Sequence, residues 1–251
     1  MIENSSSSMK LACYLSLVGL LLWTPLVARQ NNSAVAHRLG TFKTATPQDP
    51  YGMLMIVSMF TQSFQAPFGL EMGLEVQIPP GMVVKPAKRI DLSGLDLVGA
   101  VAKLSQVTPK YAWVNRNGVT EVRSTEVSGS FLSTIVPHFE LQTTDLPSAI
   151  VTVHRLFDAG FPAAKPITPG GFSSDAGTTA GRAAQLELLH RPITVSLTRA
   201  TVADILDAIV VAHGEASWIV RYRQGPASYA SAEIGFVLAN GQQILYKARN
   251  R

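Results

Sequence analysis

IDLSGLDLVGAVAKLSQVTPKYAW, residues 90–113, is repeated in pattern by VSLTRATVADILDAIVVAHGEASW, residues 195–218. The two align without a gap at an offset of 105 residues, which sets Ile90 on Val195, Leu92 on Leu197, Leu97 on Val202, Val101 on Leu206, Leu104 on Ile209 and Trp113 on Trp218. The hydrophobic pattern is kept while most identities change. Each copy reads as an alternating strand, a turn, an amphipathic helix and a second strand opening on tryptophan, so a duplicated β-α-β core accounts for both.

The flanks enlarge the repeat. Before the first copy, Met53, Ile56, Val57, Phe60 and Phe64 are spaced as one face of a helix that starts at Pro50, and Leu74-Glu75-Val76-Gln77-Ile78 alternates as a half-buried strand. The methionines Met53, Met55, Met59 and Met72 read as core filling, since no histidine or cysteine accompanies them. Asp96 is the expected N-cap of the first copy's helix and Pro109 its stop. Asn117-Gly118 then predicts a tight hairpin turn. In the second copy, Asp145-Leu146-Pro147 starts a helix carrying Ile150, Val153, Leu156 and Phe157, and residues 186–189 are expected to be the strand that answers residues 74–76. A helix from Thr201 to His213 ends at Gly214, followed by the Trp218 strand and its hairpin partner around Ile234, with a last strand after Asn240-Gly241.

These readings predict an α+β chain of two tandem α-β-β-α-β-β modules with helices packed on small sheets. The first module spans residues 49–127 and the second residues 138–251, with a Ser/Thr-rich linker between them. Residues 159–185 break the repeat. Their Gly, Ala, Pro, Ser and Thr content predicts a mobile insertion, in which Phe161 and Phe172 are candidate docking side chains.

At the amino end, Lys10 precedes LACYLSLVGLLLW, which reads as a signal peptide over residues 1–28, and the polar residues 29–48 as a flexible tether. Cys13, the single cysteine, lies in that segment, so cleavage predicts a cysteine-free mature chain with no integral membrane span. Retention of the segment as an anchor is the alternative. Hydrophobic residues make up 47% of the chain and charged ones 15%, which excludes a largely disordered protein, and a net charge of +4 without any reader motif predicts no nucleic-acid binding.

A search for chemistry finds little. His37, His138, His154, His190 and His213 show no metal-binding spacing. Residues 170–177, GGFSSDAG, match neither a nucleophile elbow nor a phosphate loop. Asp204 and Asp207, three apart on a helix, are expected on its outer face, in water. His213, in the last turn, is expected to complement the helix dipole. The expected class is therefore non-enzymatic, with no cofactor and no metal; an enzyme or ligand-binding protein with a site between the modules, covered by residues 159–185, is the alternative.

The order of helix, short strand, strand running into a helix, and aromatic-led hairpin in residues 51–123 and 145–238 resembles the short domain at the amino ends of secretins and TonB-dependent receptors. The stretches that carry it are RIDLSGLDLVGAVAKLSQVTPKYAWVNRNGVTEVRS and PITVSLTRATVADILDAIVVAHGEASWIVRYR. That resemblance implies a periplasmic or secreted module that contacts envelope protein partners through exposed sheet edges and faces, and it leaves self-association open. Trp113 and Trp218 are the residues expected to define the modules, each early in a strand and packed near its own helix.

Overall fold

The structure, a computed structural model, describes residues 41–44, 50–72, 88–127, 131–156, 179–222 and 232–246. The segment read as a signal peptide, the strand expected at residues 74–78, and Phe161 and Phe172 all lie outside these residues. The fold is α+β, with helices packed on small sheets.

The first half of the described chain runs β1 (Thr41–Thr44), α1 (Pro50–Phe64), β2 (Phe68–Glu71), β3 (Lys88–Asp91), α2 (Leu97–Val107), β4 (Tyr111–Arg116) and β5 (Val119–Ser124). Asp96 caps α2 by accepting from the Gly99 amide at 2.8 Å. Asn117 and Gly118, both at positive φ, turn β4 back on β5 and so fix the register of Trp113 opposite Val122.

The second half runs β6 (Ile135–Thr144), α3 (Leu146–Arg155), α4 (Thr179–Leu189), β7 (Ile193–Thr201), α5 (Val202–His213), β8 (Ala216–Tyr222), β9 (Ala232–Leu238) and β10 (Gln243–Tyr246). Thr201 and Asp204 form a capping box on α5, and Gly214 closes it in the left-handed conformation at φ 84. Asp145 caps α3 through the Ser148 amide.

Six strands join in one sheet of order β10-β9-β8-β2-β5-β4. Strand β2 is its middle seam: it runs parallel to β5 on one side and to β8 on the other. Two ribbons stand apart, β1 with β3 and β6 with β7. Because side chains alternate along each strand, the sheet has two apolar faces. Phe68, Leu70, Tyr111, Val122, Ile219 and Val237 pack with buried residues of α1 and α2, while Trp218, Val220, Ile234, Phe236 and Leu238 pack with those of α3 and α5.

The seam is tightly fitted. Gly69 lies opposite Trp218, and a Cβ on Gly69 would stand 2.1 Å from the indole Cζ2, so only glycine lets that ring lie across β2. Phe68 N–H donates to Ser217 Oγ at 2.8 Å; the Thr61 hydroxyl donates to Val57 O and so receives the Ser217 hydroxyl at 2.7 Å, which ties α1 to both strands. Gly69→Ala should therefore lower stability by about 1–3 kcal/mol or more through overpacking. A urea midpoint that fails to drop, at unchanged slope, would show that the ring can move aside.

Several expectations are corrected. The tether region contains β1, which pairs with β3. The expected linker contains the first residues of β6; Pro137 is tolerated because this strand pairs with β7 alone. Residues 186–189, expected as a strand, are the last turn of α4, and residues 179–185 of the expected insertion are its beginning. Ala, Gln, Leu and Glu dominate that segment and favour helix. In addition, the sheet has no vacancy there, since β10 takes the free side of β9 and β2 that of β8. The chain carries Cys13, so it is not cysteine-free.

His213 also differs from expectation. It is 1% exposed, its Nε2 faces Leu188 O at 2.9 Å, and its Nδ1 accepts from the Glu215 amide at 3.3 Å. Burial, above all, lowers its pKa. A neutral ring that both donates and accepts is the form these contacts require, so it links α5 to α4 in place of offering a cation to the dipole.

Candidate functional site

Strand β4 ends the six-stranded sheet, and its outer side pairs with no described strand. The alternation of the ladder says which backbone groups face out. Lys110 O accepts from Thr125 N on the β5 side, so Ala112, Val114 and Arg116 face β5 in turn, and the N–H and C=O of Trp113 and Asn115 point away from the sheet. Ala112, Val114 and Asn115 are exposed, Val114 at 47%.

Two other described edge strands, β6 and β10, carry features that discourage strand pairing; β4 carries few. Strand β6 has Pro137, the exposed charged or polar side chains His138 and Glu140, and a register irregularity between Leu141 and Thr144. Strand β10 has four residues. Strand β4 has six residues in unbroken register, with no proline and no lysine. Its one charged residue, Arg116, is drawn back into the protein. A regular, uncharged, outward-facing row of amides and carbonyls is what an added strand needs.

Behind β4 lies a charged network that links the two halves of the chain. Arg116 pairs with Glu121 at 2.9 Å, Asp204 at 3.2 Å and Asp207 at 3.3 Å, which joins β4 and β5 to α5. Glu121 also receives Arg123 at 2.8 Å; Arg123 lies 3.8 Å from Glu71, whose Oε1 accepts from the Tyr222 hydroxyl at 2.7 Å. The Arg123 guanidinium sits 5.4 Å from the centre of the Trp218 ring, whose Nε1 donates to Asp207 Oδ1 at 2.8 Å. An open cleft of about 310 Å³ borders this network, lined in part by Glu71, Arg116, Arg123, Ser133 and Thr201.

The titration of the network follows from burial. Asp207 is fully buried, and desolvation pushes its pKa up to about 7; the Trp218 N–H opposes this, the neighbouring Glu121 adds to it, and Arg116 opposes it. For Asp204, burial works upward but is outweighed by hydrogen bonds from Thr201, the Arg116 charge and Asn117, which together hold its carboxyl below the usual range. Arg116 is held above its ordinary value: desolvation works against the cation, and Glu121, Asp207 and Asp204 more than compensate.

Of the residues singled out in sequence, Trp113 is the third residue of β4, half-buried, with Nε1 donating to Thr108 Oγ1 at 3.1 Å just after α2. Trp218 is the third residue of β8 and fully buried against α5. The structure does not bring the two together. Asp204 and Asp207 are corrected: they face Arg116 and Trp218, and water reaches Asp207 not at all. Arg116, Glu121, Arg123, Glu71 and Tyr222 escaped sequence reading. The available signal was that α5 is apolar around nearly its whole circumference, so an aspartate inside it had to be buried and partnered.

Among the described residues, no group of three or more His, Cys, Asp or Glu is placed to hold a metal ion, and no helix is long and apolar enough to cross a membrane. No family model, no curated protein and no solved structure matches this chain.

Proposed function

We propose that this chain is an exported protein of the bacterial envelope that acts without catalysis, by binding protein partners through two modules of the secretin and TonB-receptor short-domain kind. The observation that carries the reading is the open β4 edge, with the Trp113 and Asn115 amides and carbonyls facing outward. Further support is topological. Residues 41–124 run β-α-β-β-α-β-β with a two-stranded ribbon and a β2-β5-β4 sheet, and the later strands repeat the ribbon as β6 with β7 and the hairpin as β8 with β9. Strand β10 lies beside β9 as β2 lies beside β5, antiparallel where β2 is parallel. The charged cleft offers a small ligand less, because its arginines and carboxylates already pair with one another.

A photo-crosslinking side chain at Ala112 tests this reading in producing cells. A defined envelope protein should be captured, and Asn115→Pro, which removes an outward N–H without touching the β4–β5 ladder, should cut capture about tenfold or more. Equal capture by both, with Asn115→Pro folded, would contradict association at this edge.

A further inference from the structure

The sheet contains, in β8, a filled counterpart of its open edge. At an offset of 105 residues Trp113 falls on Trp218, Val114 on Ile219 and Asn115 on Val220. Both strands are the first arm of an antiparallel hairpin, β4 with β5 and β8 with β9. The side of β8 turned away from its hairpin partner holds β2 in parallel, with Gly69 opposite Trp218, Leu70 opposite Ile219 and Glu71 opposite Val220. Val220 O accepts from Met72 N at 2.8 Å, so Val220, and Trp218 by alternation, present their backbone to β2. Trp113 and Asn115 present theirs on the corresponding side of β4, where nothing described meets them.

We infer that the β4 edge takes a partner strand of the chemistry of β2: a short apolar–glycine–apolar segment laid parallel to β4, with its glycine against Trp113. This inference rests on the strand-addition reading above and names its occupant. Three observations select that occupant. The sheet is continuous from the β2–β8 seam to β4, so an added strand extends an existing interface with the same twist. The chain shows what suits this side of a hairpin, namely Phe68-Gly69-Leu70, in parallel. The indole that β2 and α5 seal completely in β8 is only half-buried in β4, which leaves apolar ring surface for a strand without a side chain at that point to cover.

The direct probe is a synthetic peptide of residues 66–72, APFGLEM, added to the purified full chain, with amide hydrogen exchange as the readout. The Trp113 and Asn115 amides should slow by at least about tenfold, with Trp218 and Val220 unchanged. The same peptide carrying Gly69→Val should protect neither, and Asn115→Pro in the protein should abolish the effect while leaving the melting temperature near that of the wild type. Equal protection by the glycine and valine peptides would overturn the inferred occupant and leave edge addition standing. Protection changes confined to Trp218 and Val220 would mean that the peptide exchanges with the internal β2, and would overturn the inference as well. Slowed exchange that depends on protein concentration without peptide, and vanishes in Asn115→Pro, would assign the edge to a second copy of the chain. If no peptide protects β4 and Asn115→Pro keeps every crosslink, both the occupant and the strand-addition reading fall.

Discussion

Trp218→Ala is expected to destabilise the fold by about 3–5 kcal/mol, the range for deleting a fully buried aromatic ring. Three losses coincide. The ring fills the space that Gly69 leaves open, so its removal opens a cavity at the centre of the seam. Its N–H is a hydrogen-bond donor to a buried carboxyl, and without it Asp207 keeps Arg116 at 3.3 Å and its hydrogen bond with Glu121. The Arg123 guanidinium also loses its ring face. Trp218→Phe separates these effects: it retains most of the volume and removes the donor, so it should cost less and should raise the Asp207 pKa further, because the indole N–H lowers it. Urea unfolding of the three proteins checks both. A change of under about 1 kcal/mol for Trp218→Ala would mean that the seam is not packed as described.

The second large effect is a pH dependence carried by Asp207. Its pKa rises from 3.8 in the unfolded chain to about 7 in the folded one. Between those values the folded protein holds a proton that the unfolded chain has released, so this group's contribution to stability is full below about pH 4 and is lost progressively as pH rises to about 7. His213 works in the opposite sense, because its lowered pKa makes stability fall as pH drops below about 6.5. The comparison that isolates the carboxyl is therefore wild type against Asp207→Asn, which keeps an oxygen for the Trp218 N–H and cannot ionise. The variant should gain on the wild type steadily from pH 4 to 7. Parallel stability curves across that range would show that Asp207 does not hold its proton in the folded state.

What was legible in the sequence is local. Residues 90–113 become β3, α2 and β4, and residues 195–218 become β7, α5 and β8, because alternation, caps and turn residues act over a few positions. Asp96, Thr201, Gly214 and Asn117-Gly118 each do locally what their chemistry dictates. The rest depends on distant partners. Phe68-Gly69-Leu70-Glu71 is too short to alternate convincingly and carries a strand-weakening glycine, yet it is the central strand, because Trp218, 149 residues further on, supplies the side chain that Gly69 lacks. Residues 186–189 carry a pattern that suits a strand or a helix, and the places beside the β8–β9 hairpin are already taken by β2 and β10, which leaves the segment to form helix. Asp207 looked external by spacing alone; the β4–β5 hairpin that packs over it is encoded some 90 residues earlier. The open edge itself was readable only as a general expectation of exposed strands, since which strand ends the sheet follows from how the two halves join.

Amide hydrogen exchange of the isolated chain at four residues tests the central claim most directly. Trp113 and Asn115 should exchange close to the rate of an unstructured chain, whereas their counterparts Trp218 and Val220, facing β2, should be slower by at least about a thousandfold and open only with global unfolding. Comparable protection at all four would contradict an open β4 edge, and with it the association that the edge is proposed to serve.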